Sequence, residues 1–309
     1  MSRPGRLWIS LIAAALIAAG YGLFRLAAAG PAPPAPASYL GVYEPGTPAS
    51  YQPVTRFAAA TGQQPNVLLY YSRWGGGFPG RFAREALAHG AQLIVQINPT
   101  NISLAAIAAG RYDGYLRSYA AQLRAFGHPV IIGFAHEMNG DWYSWGAGHV
   151  PAATWVAAWR QVVTAIRADG ATQVTWLWTI SHNGDAPVQR YWPGASYVTW
   201  VGIDGYFEKP SDTYASVFGT AVATVRGFTS KPILLSEVGV GPDTGRKPQD
   251  ITALFTGLED QHLLGAVWFD VDQRGGLRDQ DWRLEGDEDA LAAFRQAVTG
   301  MKLARTPAS

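Results

Sequence analysis

Val130-Ile131-Ile132-Gly133-Phe134-Ala135-His136-Glu137-Met138-Asn139-Gly140-Asp141-Trp142 is the stretch from which the fold can be read. An unbroken apolar run, the pattern of a strand buried on both faces in a parallel sheet, gives way to a cluster of His, Glu, Asn and Trp. One hundred residues on the pattern returns as Pro232-Ile233-Leu234-Leu235-Ser236-Glu237-Val238-Gly239. Both runs place a glutamate at the tip of an apolar strand, and that repetition asks how many such strands there are.

Eight runs are found: 39–43, 66–72, 92–99, 130–137, 173–181, 199–206, 232–238 and 265–272. Most are separated by helix-like segments rich in Ala, Leu, Arg and Gln, such as 81–89, 112–126, 153–168, 214–228, 249–259 and 288–298. Gly90, Gly127 and Gly170 each follow a helix-like segment where a left-handed residue ends it. Eight strand–helix units in roughly 250 residues is the arithmetic of a (β/α)8 TIM barrel. An open doubly wound sheet has fewer strands and a Gly-rich phosphate turn, and no G-x-G-x-x-G follows the first run. The expected fold is therefore α/β, a single (β/α)8 barrel over 39–301 with a short tail at 302–309.

The barrel is preceded by two other segments. Arg3 and Arg6 lead an apolar run from Leu7 to Phe24, then Arg25-Leu26-Ala27-Ala28-Ala29-Gly30. Residues 1–30 read as a signal peptide or, since the run is 18 residues long, as a signal anchor able to span a bilayer. Either way the barrel is expected outside the cytoplasm, with membrane contact only through this segment. Residues 31–38, Pro31-Ala32-Pro33-Pro34-Ala35-Pro36-Ala37-Ser38, form a semi-rigid Pro/Ala linker.

Composition narrows the class of function. The net charge is +1, and three positive charges sit in the leader, so the remainder carries −2. Without a basic run or face, nucleic acid is not an expected partner. The absence of cysteine removes thiol catalysis, disulfides and Cys-based metal sites. Charged residues are only 15%, whereas there are 12 Trp and 14 Tyr, a composition suited to stacking flat rings on sugars as well as to an aromatic core.

In such barrels catalytic groups sit at the carboxyl ends of strands. Glu137 on the fourth run and Glu237 on the seventh would then share one rim. Two carboxyls across one pocket are the minimum equipment for cleaving a glycosidic bond, one protonated to expel the leaving alcohol and one ionised. Mutual repulsion and burial would hold one proton on the pair.

His136-Glu137-Met138-Asn139-Gly140 with Trp142, followed by Ser236-Glu237, resembles glycoside hydrolase family 26, whose characterised members are largely endo-β-mannanases. The likeness runs through 39–300 in strand order and rim residues. It implies that Glu137 is the acid/base and Glu237 the nucleophile of a retaining double displacement on β-1,4-mannan, with no cofactor and no metal. By the same resemblance His136 holds the sugar or tunes the acid, and Trp142 lines subsites beside the cleavage point, with Tyr143 next to it. Tyr206 bonds the nucleophile, and Trp268 floors the sugar site. Asp204, on one strand face with Tyr206, reads either as a site residue or as a barrel-interior partner. Asn98 after the third strand and Trp74 after the second stand at the correct end for sugar contacts.

One departure concerns substrate. Many mannan-cleaving relatives carry Trp-His near the end of the third strand, where this chain has Gln96-Ile97-Asn98-Pro99. Mixed-linkage β-glucan and β-1,3-xylan, on which some members of that family act, and exported bacterial polysaccharide thus stay open beside mannan. A zinc protease is excluded, because Gly140 stands where H-E-x-x-H needs its second His. A non-catalytic, membrane-tethered carbohydrate-binding barrel is the reading from another class, opposed by the retention of both glutamates. A monomer is expected.

Overall fold

The computed structural model describes residues 38–304 except Leu277; the expected signal or anchor segment and most of the linker lie outside the described residues. Eight parallel strands close into a barrel in sequence order: β1 Tyr39–Tyr43, β2 Val67–Arg73, β3 Gln92–Asn98, β4 Val130–Phe134, β5 Val174–Ser181, β6 Trp200–Phe207, β7 Ile233–Val240 and β8 Gly265–Phe269. The (β/α)8 expectation is borne out. The surrounding helices are α1 Gln52–Thr61, α2 Gly80–Ala88, α3 Leu104–Ala108, α4 Asp113–Phe126, α5 Ala152–Ala168, α6 Thr220–Arg226, α7 Lys247–Asp260 and α8 Glu288–Val298. Only short 3₁₀ turns join β5 to β6, and a π-helical turn, Ala215–Gly219, leads into α6. Gly90, Gly127 and Gly170 all have positive φ, as the helix-stop reading requires.

Strand parity divides the core in two. Tyr39, Val67, Leu69, Ile94, Ile131, Leu177, Trp200, Leu234 and Val267 form one buried cluster to which every strand contributes, which places it inside the barrel. The alternate residues, including Val42, Val95, Trp176, Trp178, Val201, Leu235 and Trp268, pack outward with the helices in a second and larger cluster. Both faces are apolar, hence the continuous hydrophobic runs.

Above the apolar interior lies a polar layer. A Cβ on Gly133 would stand 1.9 Å from Gln96 Oε1, and one on Gly202 would stand 2.4 Å from both Ser236 Oγ and Thr179 Oγ1. Gln96 Nε2 donates to Thr179 Oγ1 at 3.0 Å. Side chains fill this level where glycines leave room, and the layer supports the carboxyl-end rim.

The opposite, amino end of the barrel is tied together by the first and last described residues. Ser38 bridges Leu303, and Asn66 Nδ2 donates to Ala304 O at 2.8 Å. The first residues of the anticipated tail are therefore tied to the barrel. No helix of the described residues is long and apolar enough to cross a membrane.

Candidate active site

β7 carries one residue more than its neighbours. Ile203 pairs with Leu235, but Asp204 pairs with Glu237, so Ser236 is bulged. Successive strand residues ordinarily face opposite sides, and a bulge re-aims them. Here both Ser236 and Glu237 point inward. Ser236 Oγ donates to Asp204 Oδ1 at 2.5 Å, and Glu237 meets Tyr206 and Tyr71 above it.

Glu137 does not end a strand, as the sequence suggested. β4 stops at Phe134, and Glu137 lies three residues on, in a turn where Ala135 and Glu137 have φ of 48° and 52°. Such angles on non-glycine residues cost about 1–3 kcal/mol each and persist only where the surroundings impose them. Trp155 Nε1 donates to Ala135 O, Trp145 Nε1 donates to His136 O, and Glu137 N donates to Thr179 O. Asn139 exchanges two hydrogen bonds with the backbone of Ser181, at 2.8 and 2.9 Å. The polar cluster after the apolar run is thus largely a clamp that aims one carboxyl.

Both glutamates open into a cleft of about 630 Å³ lined by Tyr43, Tyr71, Asn98, Glu137, Trp142, Tyr143, Asn183, Tyr206, Glu208, Glu237, Phe269, Gln273 and Arg278. Trp142 Nε1 donates to Glu137 Oε2 at 2.8 Å. Its indole lies over Gly140, where any Cβ would come within 2.2 Å of the ring. Tyr206 donates to Glu237 Oε2 at 2.6 Å, and Tyr71 donates to Oε1. Arg278 pairs with Glu208 and stacks on Tyr206, 4.6 Å from the ring centroid.

Burial first, and then the charge of Glu237, raises the Glu137 pKa to about 7, against the pull of Trp142 and Arg278. Glu237 is raised by burial, opposed by hydrogen bonds from Tyr206 and Tyr71 and by Arg278. Glu137 therefore holds a proton near neutrality while Glu237 is the better-supported anion. Asp204 is fully buried, and its Oδ2 meets no donor. Burial and the two glutamates push Asp204 far above the carboxylate range, so it is a neutral acid whose proton can be donated to Glu237.

Of the residues expected at the site, Glu137, Glu237, Trp142, Tyr206 and Asn98 line the cleft, and four do not. Asp204 lies beneath it, as an interior partner. His136 is 2% exposed, its Nδ1 3.1 Å from Asn98 Oδ1 and its ring beside Tyr71, Tyr143 and Trp145, so it backs the wall. Burial lowers its pKa to about 3, and it is neutral. Trp268 faces the helices: β8 pairs Trp268 with Val42 and Phe269 with Tyr43, so parity sends Phe269 inward. The Trp268 ring meets Phe294 at 5.4 Å, and its Nε1 donates to Trp282 O. Trp74 packs on Tyr112, Tyr115 and Phe134 outside the barrel mouth. Sequence reasoning missed Tyr43 and Tyr71, whose inward parity was readable, Phe269, whose parity is set by its pairing with Tyr43, and Asn183, Glu208, Gln273 and Arg278, which come from loops without such a signal. Among the described residues no group of His, Asp and Glu could hold a metal ion.

Comparison with known proteins supplies the lineage. The model of glycosyl hydrolase family 26 matches residues 105–243, from α3 to just past β7, which spans both glutamates. Over this stretch the chain is similar to glycosyl hydrolase family 26. It is 28% identical over 272 residues to endoglucanase H of Acetivibrio thermocellus, covering 82% of this chain and 29% of that protein. It is 29% identical over 148 residues to a mannan endo-1,4-β-mannosidase of Bacillus subtilis, covering 46% of this chain and 38% of that one. The chain thus spans less than two fifths of the length of either relative. In fold it is similar to a family 26 β-mannanase from Bacteroides ovatus, at TM-score 0.62 and 15% identity over 87% of this chain and 90% of that one. It is also similar to a Cellulomonas fimi endo-β-1,4-mannanase, at TM-score 0.66 and 16% identity over 87% and 72%.

Proposed function

We propose that the protein is a retaining endo-β-glycanase that hydrolyses a neutral β-linked polysaccharide of the mannan type. The observation that carries this reading is the pair of unlike carboxyls in one cleft, with Glu137 protonated near neutrality and Glu237 hydrogen-bonded as an anion. Glu137 would protonate the leaving oxygen as Glu237 attacks the anomeric carbon, and Glu137 would then deprotonate the water that releases the sugar. Trp142 and Tyr143 offer aromatic surface beside the acid.

The charge of the cleft supports a neutral glycan. Glu137, Glu237 and Glu208 line it against a single guanidinium, Arg278, which is already paired with Glu208. A polyuronide would meet repulsion there.

Mixed-linkage β-glucan is the second reading. It is favoured by Asn98 at the end of β3 and by the likeness to endoglucanase H, which extends over far more of this chain than the likeness to the B. subtilis mannosidase. The leader further suggests action outside the cytoplasm.

The deciding experiment is a panel of mannan, glucomannan, mixed-linkage glucan and exopolysaccharide, with product sizing, run on wild type, Glu137→Ala and Glu237→Ala. Glu137→Ala should lose most activity, less on substrates with good leaving groups, and regain turnover with azide. Glu237→Ala should be inactive. Binding without release of reducing ends by wild type would leave a carbohydrate-binding barrel instead.

A further inference from the structure

Both oxygens of the Glu237 carboxylate are capped by a phenol, and the two phenols differ. Tyr206 is 4% exposed, on the strand next to β7. Its ring is held by Trp282 at 4.7 Å, Phe269 at 5.8 Å and the Arg278 guanidinium at 4.6 Å. Its hydroxyl has one direction in which to point. Tyr71 comes from β2, three strands round the barrel from β7, and reaches Glu237 across the mouth. It is half-buried, its ring edge-on to Tyr43 at 5.0 Å, tilted to His136 at 5.5 Å and packed against the cluster of Tyr206, Phe269 and Trp282.

We propose that Tyr71 is a catalytic residue that serves Oε1, the oxygen of Glu237 that attacks, while Tyr206 anchors Oε2. The inference rests on the two-glutamate reading above. Exposure separates the two oxygens: Oε1 is met by the more exposed phenol, Tyr71, and Oε2 by the buried Tyr206. In the first step Oε1 forms a bond to the anomeric carbon and the bond to the leaving oxygen breaks. Glu137 passes its proton to that oxygen. Oε1 becomes an ester oxygen and a poor acceptor, so the Tyr71 hydroxyl, which keeps its proton, turns from it toward the sugar. In the second step water adds to the anomeric carbon and gives a proton to Glu137. Oε1 leaves as a carboxylate oxygen and recovers the Tyr71 hydrogen bond. Tyr206 donates to the carbonyl oxygen throughout. Tyr71 thus stabilises the anion before attack and again at its departure, when charge develops on that atom.

The test is Tyr71→Phe, which keeps the ring and its packing. Its substrate is an activated 2,4-dinitrophenyl β-disaccharide of the manno or gluco series, whichever wild type cleaves. Labelling uses the matching 2-deoxy-2-fluoro inactivator. The expected result is a fall of about 10–100-fold in kcat/KM and in the labelling rate, the range for losing a hydrogen bond to a charged group. The acid limb of kcat/KM should also move to higher pH, because the nucleophile has lost a donor to its ionised form. Wild-type labelling with an unmoved acid limb would overturn the role of Tyr71, as would a loss of thermal stability without either kinetic change. Failure of the underlying reading looks different: Glu237→Ala would stay active, or the label would attach to another residue.

Discussion

Trp142→Phe tests whether the protonation of Glu137 is set as the geometry implies. The substitution keeps an aromatic ring in the cleft and deletes the Nε1 donor that lies 2.8 Å from Glu137 Oε2. A hydrogen bond to a charged group contributes about 1.5–3 kcal/mol, and about 1.36 kcal/mol corresponds to one pH unit. The full loss would therefore move the titration by roughly one to two pH units. Trp142 lines the cleft, so water can replace part of the lost donor, and roughly half of that movement is expected. The sign follows from the state that the donor favours. The indole N–H stabilises the carboxylate, so its removal raises the pKa from about 7 and keeps the acid protonated to higher pH. The alkaline limb of kcat/KM for an activated aryl glycoside, which reports the free enzyme, should rise by roughly half to one pH unit. An alkaline limb that stays in place or falls would refute Glu137 as the group titrating there, or the indole as its tuning partner.

Two further substitutions test the buried carboxyls. Asp204→Asn should keep activity within about 10-fold, because an amide can accept from Ser236 and donate to Glu237 as the neutral acid does, whereas Asp204→Leu should lose more than 100-fold; equal losses on the polysaccharide assay would mean that Asp204 works ionised. Glu44 and Asp270 are buried after β1 and β8; burial first, then the charge of Asp270 and a hydrogen bond to it, raise Glu44 to about 9, so the folded state holds a proton that the unfolded chain releases above its ordinary pKa of 4.5. This stabilisation is full below about pH 4.5 and is lost as pH rises to about 9, so Glu44→Gln should flatten the decline and raise Tm at pH 9 by about 2 °C, the shift for about 1 kcal/mol in a domain of this size, while an unchanged Tm profile would remove the shared proton.

How much was legible beforehand follows from what each level of structure depends on. The barrel could be read because burial on both faces makes its strands continuous apolar runs, and helix stops need glycine whatever lies around them. Strand ends and rim roles were harder. Trp268 and Phe269 are adjacent aromatics, and only the pairing of Phe269 with Tyr43 decides which one faces the mouth. Tyr71 was equally open to parity reasoning from Val67 and Leu69, whereas Trp74, the residue expected at the site, stands beyond the strand. Glu137 carried no local sign of its left-handed backbone, because the hydrogen bonds that impose it come from β5 and from tryptophans 145 and 155. Arg278 reaches the cleft from a loop whose course is set by tertiary contacts alone.

The bulge at Ser236 joins these observations. In a regular strand Ser236 and Glu237 could not both face the interior, and a Glu237 turned outward would enter the apolar layer beneath the helices. The extra residue brings the hydroxyl of Ser236 onto Asp204 and the carboxyl of Glu237 onto Asp204, Tyr206 and Tyr71 at once. Nothing in the apolar run announces it, because Ser236-Glu237 fits a strand of either register. The same device explains why Asp204 is neutral: a register that stacks two carboxyls in a buried layer cannot keep both ionised, and the Asp204 oxygen that Ser236 does not reach has only the nucleophile to face. The donors to Glu237 are therefore of two kinds. Asp204 and Tyr206 are buried on β6 beside the nucleophile, while Tyr71 comes from β2, three strands from β7, and is the most exposed of the three. An anion that must attack and later be regenerated needs both, a rigid set to hold its position and one partner free to follow the charge.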